Sequence, residues 1–231
     1  MEDSAHKSEQ QNIGAPPEFS DSASTSIDYT LRFTGWPSLG QLVAVAVAAA
    51  VYTVLSWLSI QLPSGFPITS VLFIAIGFGI PFGIWFGGWA FVIAYIGNMV
   101  GAGLLATPPL PVPVALIFGT VDLVQIGLPM ILYRTLARRF GVSPIGKDVY
   151  TLRGFIFFVL CAVLPNNILG GLYGTFILVQ SGVLPSSLFL ANWATWSLSN
   201  IVVTLIIGSG LLATLGRLVE RFGLTVHNLL S

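Results

Sequence analysis

Between Phe33 and Tyr133 the chain runs through Val, Ile, Leu, Phe, Ala and Gly with a single charged side chain, Asp122. A second stretch, Gly154 to Gly216, carries no charge at all. A water-soluble domain needs a polar surface, and neither stretch has the residues to make one. Long uncharged apolar runs are the pattern of membrane-crossing helices. A transmembrane barrel would instead alternate apolar and polar positions in segments of roughly ten residues.

The punctuation of these runs predicts an all-α, polytopic integral membrane protein with six transmembrane helices. The first is expected over Leu39 to Leu62, with Trp36 as an interfacial anchor. Pro63, Gly65 and Pro67 force a turn after it. The apolar run from Ile68 to Thr107 is too long for one crossing and is expected to fold back near Pro81 to Gly83. That gives a short second helix and a third over Trp85 to Leu105. The prolines between Pro108 and Pro113 end this pair, and a fourth helix follows over Val112 to Arg134. A fifth is expected over Arg153 to Val179. After Gly182 and Pro185 a sixth covers Ser187 to Leu215.

Outside the apolar runs the sequence is short and polar. Residues 1–35 read as a disordered cytoplasmic tail, rich in Ser and without apolar periodicity. Residues 36–224 form the six-helix domain, and residues 225–231 a short C-terminal tail. The nine basic and nine acidic residues cancel, but unevenly along the chain. Glu2, Asp3, Glu9, Glu18, Asp21 and Asp28 precede the first helix, whereas Arg134, Arg138, Arg139, Lys147 and Arg153 cluster between the fourth and fifth. The positive-inside rule makes that loop cytoplasmic, along with Arg217 and Arg221. Six spans then leave both termini in the cytoplasm of a multi-pass protein of the plasma membrane. A five-span alternative would put the tail outside, opposed only by Lys7 and Arg32.

Asp122 is the first candidate for chemistry, because an ionisable side chain in hydrocarbon is costly and usually faces a cavity or a partner. Gln125 stands one turn further on. The bland alternative is a protonated Asp122 bridging two helices. Amides are frequent in the remaining spans: Asn98, Asn166, Asn167, Asn192 and Asn200. On the sixth helix Asn192, Trp193, Trp196 and Asn200 recur at spacings of three and four, so they share one face. Indole walls with a few placed amides suit a small organic ligand, and Asn98, Asp122, Gln125, Asn166, Trp193, Trp196 and Asn200 are the expected pocket. Individually, the same residues also serve as interfacial anchors and interhelical glue. Ala44 and Ala48 form a small-residue face on the first helix, expected to dock a partner. Gly79, Gly83 and Gly87, then Gly97 and Gly101, and Gly170 and Gly174 have the spacing of close helix packing.

Other chemistry is not signalled. The single cysteine, Cys161, lies in an apolar run with no neighbouring His. There is no phosphate-binding loop, no paired-cysteine or paired-histidine metal motif, and no basic patch suited to nucleic acid. The expectation is therefore no catalytic residue, no metal, no cofactor and no nucleic-acid partner.

Two family resemblances follow from these stretches. The Ala44/Ala48 face, the Pro/Gly-rich FGIPFGIWFGGWAFVIAYIGNMVG and the final SNIVVTLIIGSGLLATLGRLVERFGL resemble the substrate-binding S-component of energy-coupling factor transporters. The resemblance covers about Gln41 to Leu224. It implies a small-molecule ligand such as a vitamin or metal bound in the outer half, a transmembrane coupling protein docked on the alanine face, and separate ATPase subunits. No Lys or Arg stands at ligand depth, which disfavours a strongly anionic ligand. FGTVDLVQIGLPMILYRTLARRF, KDVYTLRGFIFF and NWATWSLSN also resemble the integral-membrane sensor domain of bacterial histidine kinases and diguanylate cyclases, which would make Asp122 and the Trp193/Trp196 pair signal-perceiving. A ligand-free membrane scaffold is the third reading.

Overall fold

The computed structural model describes residues 28–62, 70 and 72–231. Six helical segments follow one another among them: α1 (Leu39–Ile60), α2 (Ile74–Phe86), α3 (Trp89–Leu104), α4 (Val112–Phe140), α5 (Leu152–Gln180) and α6 (Ser186–Arg221). Four of these, α1, α4, α5 and α6, are long and apolar enough to cross a membrane. The 13-residue α2 and the somewhat longer α3 fall short of that length.

The short α2 is the centre of the bundle. It packs against α1, α3, α4 and α6, and most of its side chains are buried. A helix that is apolar all round belongs in a protein interior or in lipid, and α2 takes the first place. Its glycines set how closely the others approach. A methyl on Gly77 would lie 2.7 Å from Ile207 of α6. One on Gly79 would lie 2.7 Å from Ile126 of α4 and 2.8 Å from the Tyr52 ring of α1, and one on Gly83 would lie 2.6 Å from Ile126. The remaining predicted glycines do the same work, apart from Gly87, which makes the turn after α2. Gly97 and Gly101 of α3 seat α1, while Gly170 and Gly174 of α5 seat Gln125 and Trp196. Along α1 the buried residues are Gln41, Val45, Ala48, Tyr52, Ser56 and Ser59, a stripe at the three-and-four spacing of one helix face.

Successive helices reverse direction, and one end of the bundle gathers the charge. The backbone N–H of Val226 donates to the Trp85 carbonyl and that of Gly88 to the Leu229 carbonyl. The N–H of Thr30 donates to His227 and that of Leu229 to Arg32. Gln41 Nε2 donates to the Thr225 carbonyl at 2.9 Å. The starts of α1 and α3, the end of α2 and both described chain termini therefore meet. Arg134 closes this cap. Its Nη1 faces the carbonyls of Thr30, His227 and Asn228 at 3.0, 2.9 and 2.8 Å, and Nη2 donates to that of Val226 at 2.6 Å. The guanidinium also lies over the Tyr29 ring, 5.8 Å from its centroid. Every described Lys and Arg sits at this end: Arg32, Arg134, Arg138, Arg139, Lys147, Arg153, Arg217 and Arg221. The described residues at the opposite end carry no charge.

The structure changes several of these expectations. The chain does not reverse at Pro81 to Gly83, since α2 continues through Pro81 and the turn falls at Gly87 and Gly88. Pro81 leaves the Gly77 carbonyl without its helical donor, and that oxygen faces Gly208 of α6, 3.5 Å from where a methyl would stand. The reversal needs a positive φ, which Gly87 supplies at 56°. Within residues 225–231, expected as a short C-terminal tail, Thr225, Val226 and Leu229 are buried in the cap. Of the expected N-terminal tail, residues 1–27 lie outside the described residues. Tyr29, by contrast, is buried, ring-stacked edge-on against His227 at 5.1 Å. The fourth and sixth helices also run further into the basic end than expected, to Phe140 and Arg221.

Candidate functional site

The uncharged half of the bundle holds a small cavity lined by Ile60, Ser70, Phe73, Asn98, Ala102, Phe118, Trp196 and Asn200. Ile60 ends α1, Ser70 and Phe73 precede α2, and the others come from α3, α4 and α6, so five helices converge here. Asn98 is fixed by donating from Nδ2 to the Phe118 carbonyl at 2.8 Å. It lies within a stretch of wide, π-helical turns, Gly97–Leu104; such turns displace side chains from the regular helical register and recur at functional sites. The Trp196 indole rests on Gly174, where a methyl would come within 2.6 Å of its ring. It meets the Phe118 ring at 6.1 Å between centroids.

The polar groups of these residues are incompletely matched. Trp196 Nε1 and both amide atoms of Asn200 are buried and form no hydrogen bond with the described residues. Buried polar atoms of this kind usually find a partner, and leaving one unmatched costs about 1–3 kcal/mol. The cavity holds about 10 Å³ of solvent-sized space, which is roughly what one water molecule needs. The walls are aromatic and neutral, and Trp196 Nε1 and the Asn200 amide leave two donors and one acceptor without a partner among the described residues.

The predicted pocket residues divide into groups. Asn98, Trp196 and Asn200 line the cavity. Asp122 lies one turn beyond Phe118 on α4, where its Oδ2 accepts from the Tyr52 hydroxyl at 2.6 Å. Gln125 is fully buried further along, its side chain pressed against Gly170 of α5. Asn166 and Asn167 belong to the seam between α5 and α6. Asn166 Nδ2 donates to Asn167 Oδ1 at 3.1 Å, Asn167 Nδ2 to Thr204 Oγ1 at 3.3 Å, and Ser197 Oγ to the Asn167 carbonyl at 3.0 Å. Trp193 is half-buried, its Nε1 donating to the Ile168 carbonyl at 3.0 Å, and does not line the cavity. Asn192 donates to Thr175 in the same seam. Ala44 and Ala48 both line a lateral apolar groove between α1, α2 and α6 together with Val47, Phe82 and Trp85, Ala48 being buried.

Sequence reasoning passed over Tyr52, Phe118 and Arg134. Tyr52 could have been found as the one hydroxyl-bearing ring on the stripe through Val45, Ala48 and Ser56. Phe118 had no local signal, and Arg134 read only as a loop cation. Among the described residues no group of three or more His, Cys, Asp or Glu could hold a metal. No family model, no curated protein and no solved structure matches the chain.

Proposed function

We propose that the chain is the solute-binding membrane subunit of a multi-component importer, powered by ATPases on separate proteins. In this reading all six helices cross the plasma membrane. The short α2 and α3 cross inside the bundle, where neighbouring helices rather than headgroups surround them. The cap with Arg134 faces the cytoplasm by the positive-inside rule, and the cavity opens from the outer side.

One observation carries this reading. A neutral, aromatic-walled cavity with unengaged donors and an acceptor lies in the charge-free half, opposite the basic end. A scaffold that binds nothing gains no stability from leaving Asn200 and Trp196 Nε1 unmatched. The outer-half position is also the one that the transporter resemblance implies.

The test is to extract the tagged chain in mild detergent and identify what accompanies it by mass spectrometry. A transmembrane coupling protein with paired ATPases is the expected result. A kinase or cyclase in its place would overturn the importer reading in favour of a sensor. In parallel, a panel of neutral vitamins is screened by thermal unfolding. At least one is expected to raise the midpoint in the wild type and not in Asn200→Ala. No shift with any of them, together with a solitary chain in the extraction, would leave the scaffold reading standing instead.

A further inference from the structure

Towards the basic end, a lateral groove runs between the end of α4 and the start of α5. Phe140 of α4 and Leu152, Ile156, Phe157 and Leu160 of α5 line it, with Arg153. Its volume of about 600 Å³ falls within the roughly 300–1,000 Å³ of small-molecule sites. Leu152, Ile156 and Leu160 recur every four residues, as do Arg153 and Phe157, so the groove follows one face of α5. Phe157 is buried, its ring centroid 5.0 Å from that of Tyr133 and 5.8 Å from that of Phe140. Phe140, Leu152, Ile156 and Leu160 remain exposed.

Charge is confined to one end of this groove. Arg153 stands in the first turn of α5, at the edge of the apolar span, and Leu160 lies about 10 Å deeper. No Asp or Glu lines the groove. Among the described residues, Arg138 pairs with Asp28 and Lys147 with Glu220, and Arg153 takes part in neither ion pair. The acid nearest to it in sequence, Asp148, accepts instead from the Ser143 N–H at 2.9 Å. An arginine at a helix end can simply extend towards water. Arg153 reaches back to the end of α4, where a methyl on Gly141 would lie 3.0 Å from its Nη1. The groove of Ala44 and Ala48 has a similar volume, about 680 Å³, and no charged residue.

We propose that the groove between α4 and α5 binds a phospholipid of net negative charge, its acyl chain along Ile156 and Leu160 and its phosphate on the Arg153 guanidinium. The occupant has to be apolar over about 10 Å and anionic at the end level with the membrane surface. A planar guanidinium matches phosphate oxygens two at a time. A zwitterionic lipid offers the same chain and phosphate, but its own cation offsets the charge that Arg153 would meet. A soluble anion would satisfy Arg153 and leave the apolar walls uncovered. A second copy docked here about a two-fold axis would bring Arg153 close to its own counterpart. The inference rests on the bundle crossing a bilayer, as proposed above, and on neither the solute nor the ATPase partners.

The test is to reconstitute the chain in vesicles of equal parts phosphatidylglycerol and phosphatidylcholine with matched acyl chains. The protein is then released in detergent with inorganic phosphate present and weighed intact by native mass spectrometry. One phosphatidylglycerol is expected to stay on each chain, in about fivefold preference over phosphatidylcholine, the factor for one basic side chain at a membrane surface. Arg153→Gln, at an exposed position, is expected to remove the preference. Arg217→Gln, an exposed cation of α6 outside the groove, is expected to keep it. Equal retention of the two lipids would overturn the proposal, as would equal loss of preference in both variants, which would assign it to diffuse surface charge. So would a chain that carries phosphate without lipid, or a second copy of the chain in place of lipid.

Discussion

Replacing Arg134 with Met keeps the apolar stem and removes the group that holds the cap. Nη1 has two hydrogens for the three carbonyls of Thr30, His227 and Asn228, so one is shared; Nη2 serves Val226 alone. About three effective charged bonds at about 1.5–3 kcal/mol each give a gross loss of roughly 5–9 kcal/mol. Releasing the buried guanidinium returns several kcal/mol of desolvation. The half-buried carbonyls of Thr30, His227 and Asn228 regain water, whereas Val226, fully buried, does not. The net cost is about 3 kcal/mol, or a melting temperature lower by about 6–12 °C for a chain of this length. Hydrogen exchange locates the damage. Protection is expected to fall at the N–H groups of Thr30, Gly88, Val226 and Leu229 and to be retained in the middle of α2 and α4. Arg134→Lys should recover little, since an ammonium cannot span carbonyls on two chain segments. An unchanged midpoint with unchanged exchange at those four amides would refute the reasoning.

Other perturbations follow from the same geometry. Gly87→Ala forces a positive φ on an L-residue at about 1–2 kcal/mol and puts a methyl 2.7 Å from Arg134 Nη2, so its exchange pattern should resemble that of Arg134→Met. Tyr52→Phe removes the hydroxyl on Asp122 and should cost about 1.5–3 kcal/mol, read as a lower midpoint; an unaltered midpoint would mean that the bond contributes nothing. His227 is held below the ordinary imidazole value of 6.5 by burial and then by Arg134, with Glu220 opposing. The unfolded chain therefore binds more protons below pH 6.5, and stability is greatest above that value and falls as the pH drops through it. Since His227 faces Tyr29, Thr225, Arg134 and Glu220, exchange of residues 225–230, corrected for intrinsic rates, should accelerate between about pH 7.5 and about 5.5. His227→Gln should flatten that dependence.

The long apolar helices and their order were legible because length and charge-free composition report directly on a solvent. The reversal at Gly87 was not, because a proline is the louder local signal. Whether a helix absorbs one depends on what its freed carbonyl meets, here Gly208 at the far end of the chain. The cap was hidden for a similar reason. Arg134 binds main-chain carbonyls, and a carbonyl has no sequence signature. At the candidate site, Asn98, Trp196 and Asn200 were reachable from amide and indole spacing. The same spacing also marked Asn166, Asn192 and Trp193, which hydrogen-bond along the seam between α5 and α6, because periodicity gives a face but not the neighbour. The glycine spacings marked close packing except at Gly87, which makes a turn, and their partners, such as Tyr52 and Gln125, came only from tertiary structure.

The placement of charge has an electrical consequence. With the bundle in a bilayer as proposed, the described Lys and Arg residues lie at one face, outside the region where the membrane potential drops. Asp122 stands about 15 Å along α4 from its start, close to half the thickness of a hydrocarbon core of about 30 Å. It is the one described ionisable carboxylate inside the field. An ion travelling from either face to Asp122 crosses about half the potential, worth about 1 kcal/mol per 100 mV. Voltage dependence in this protein would accordingly be a reading of the charge on a single side chain.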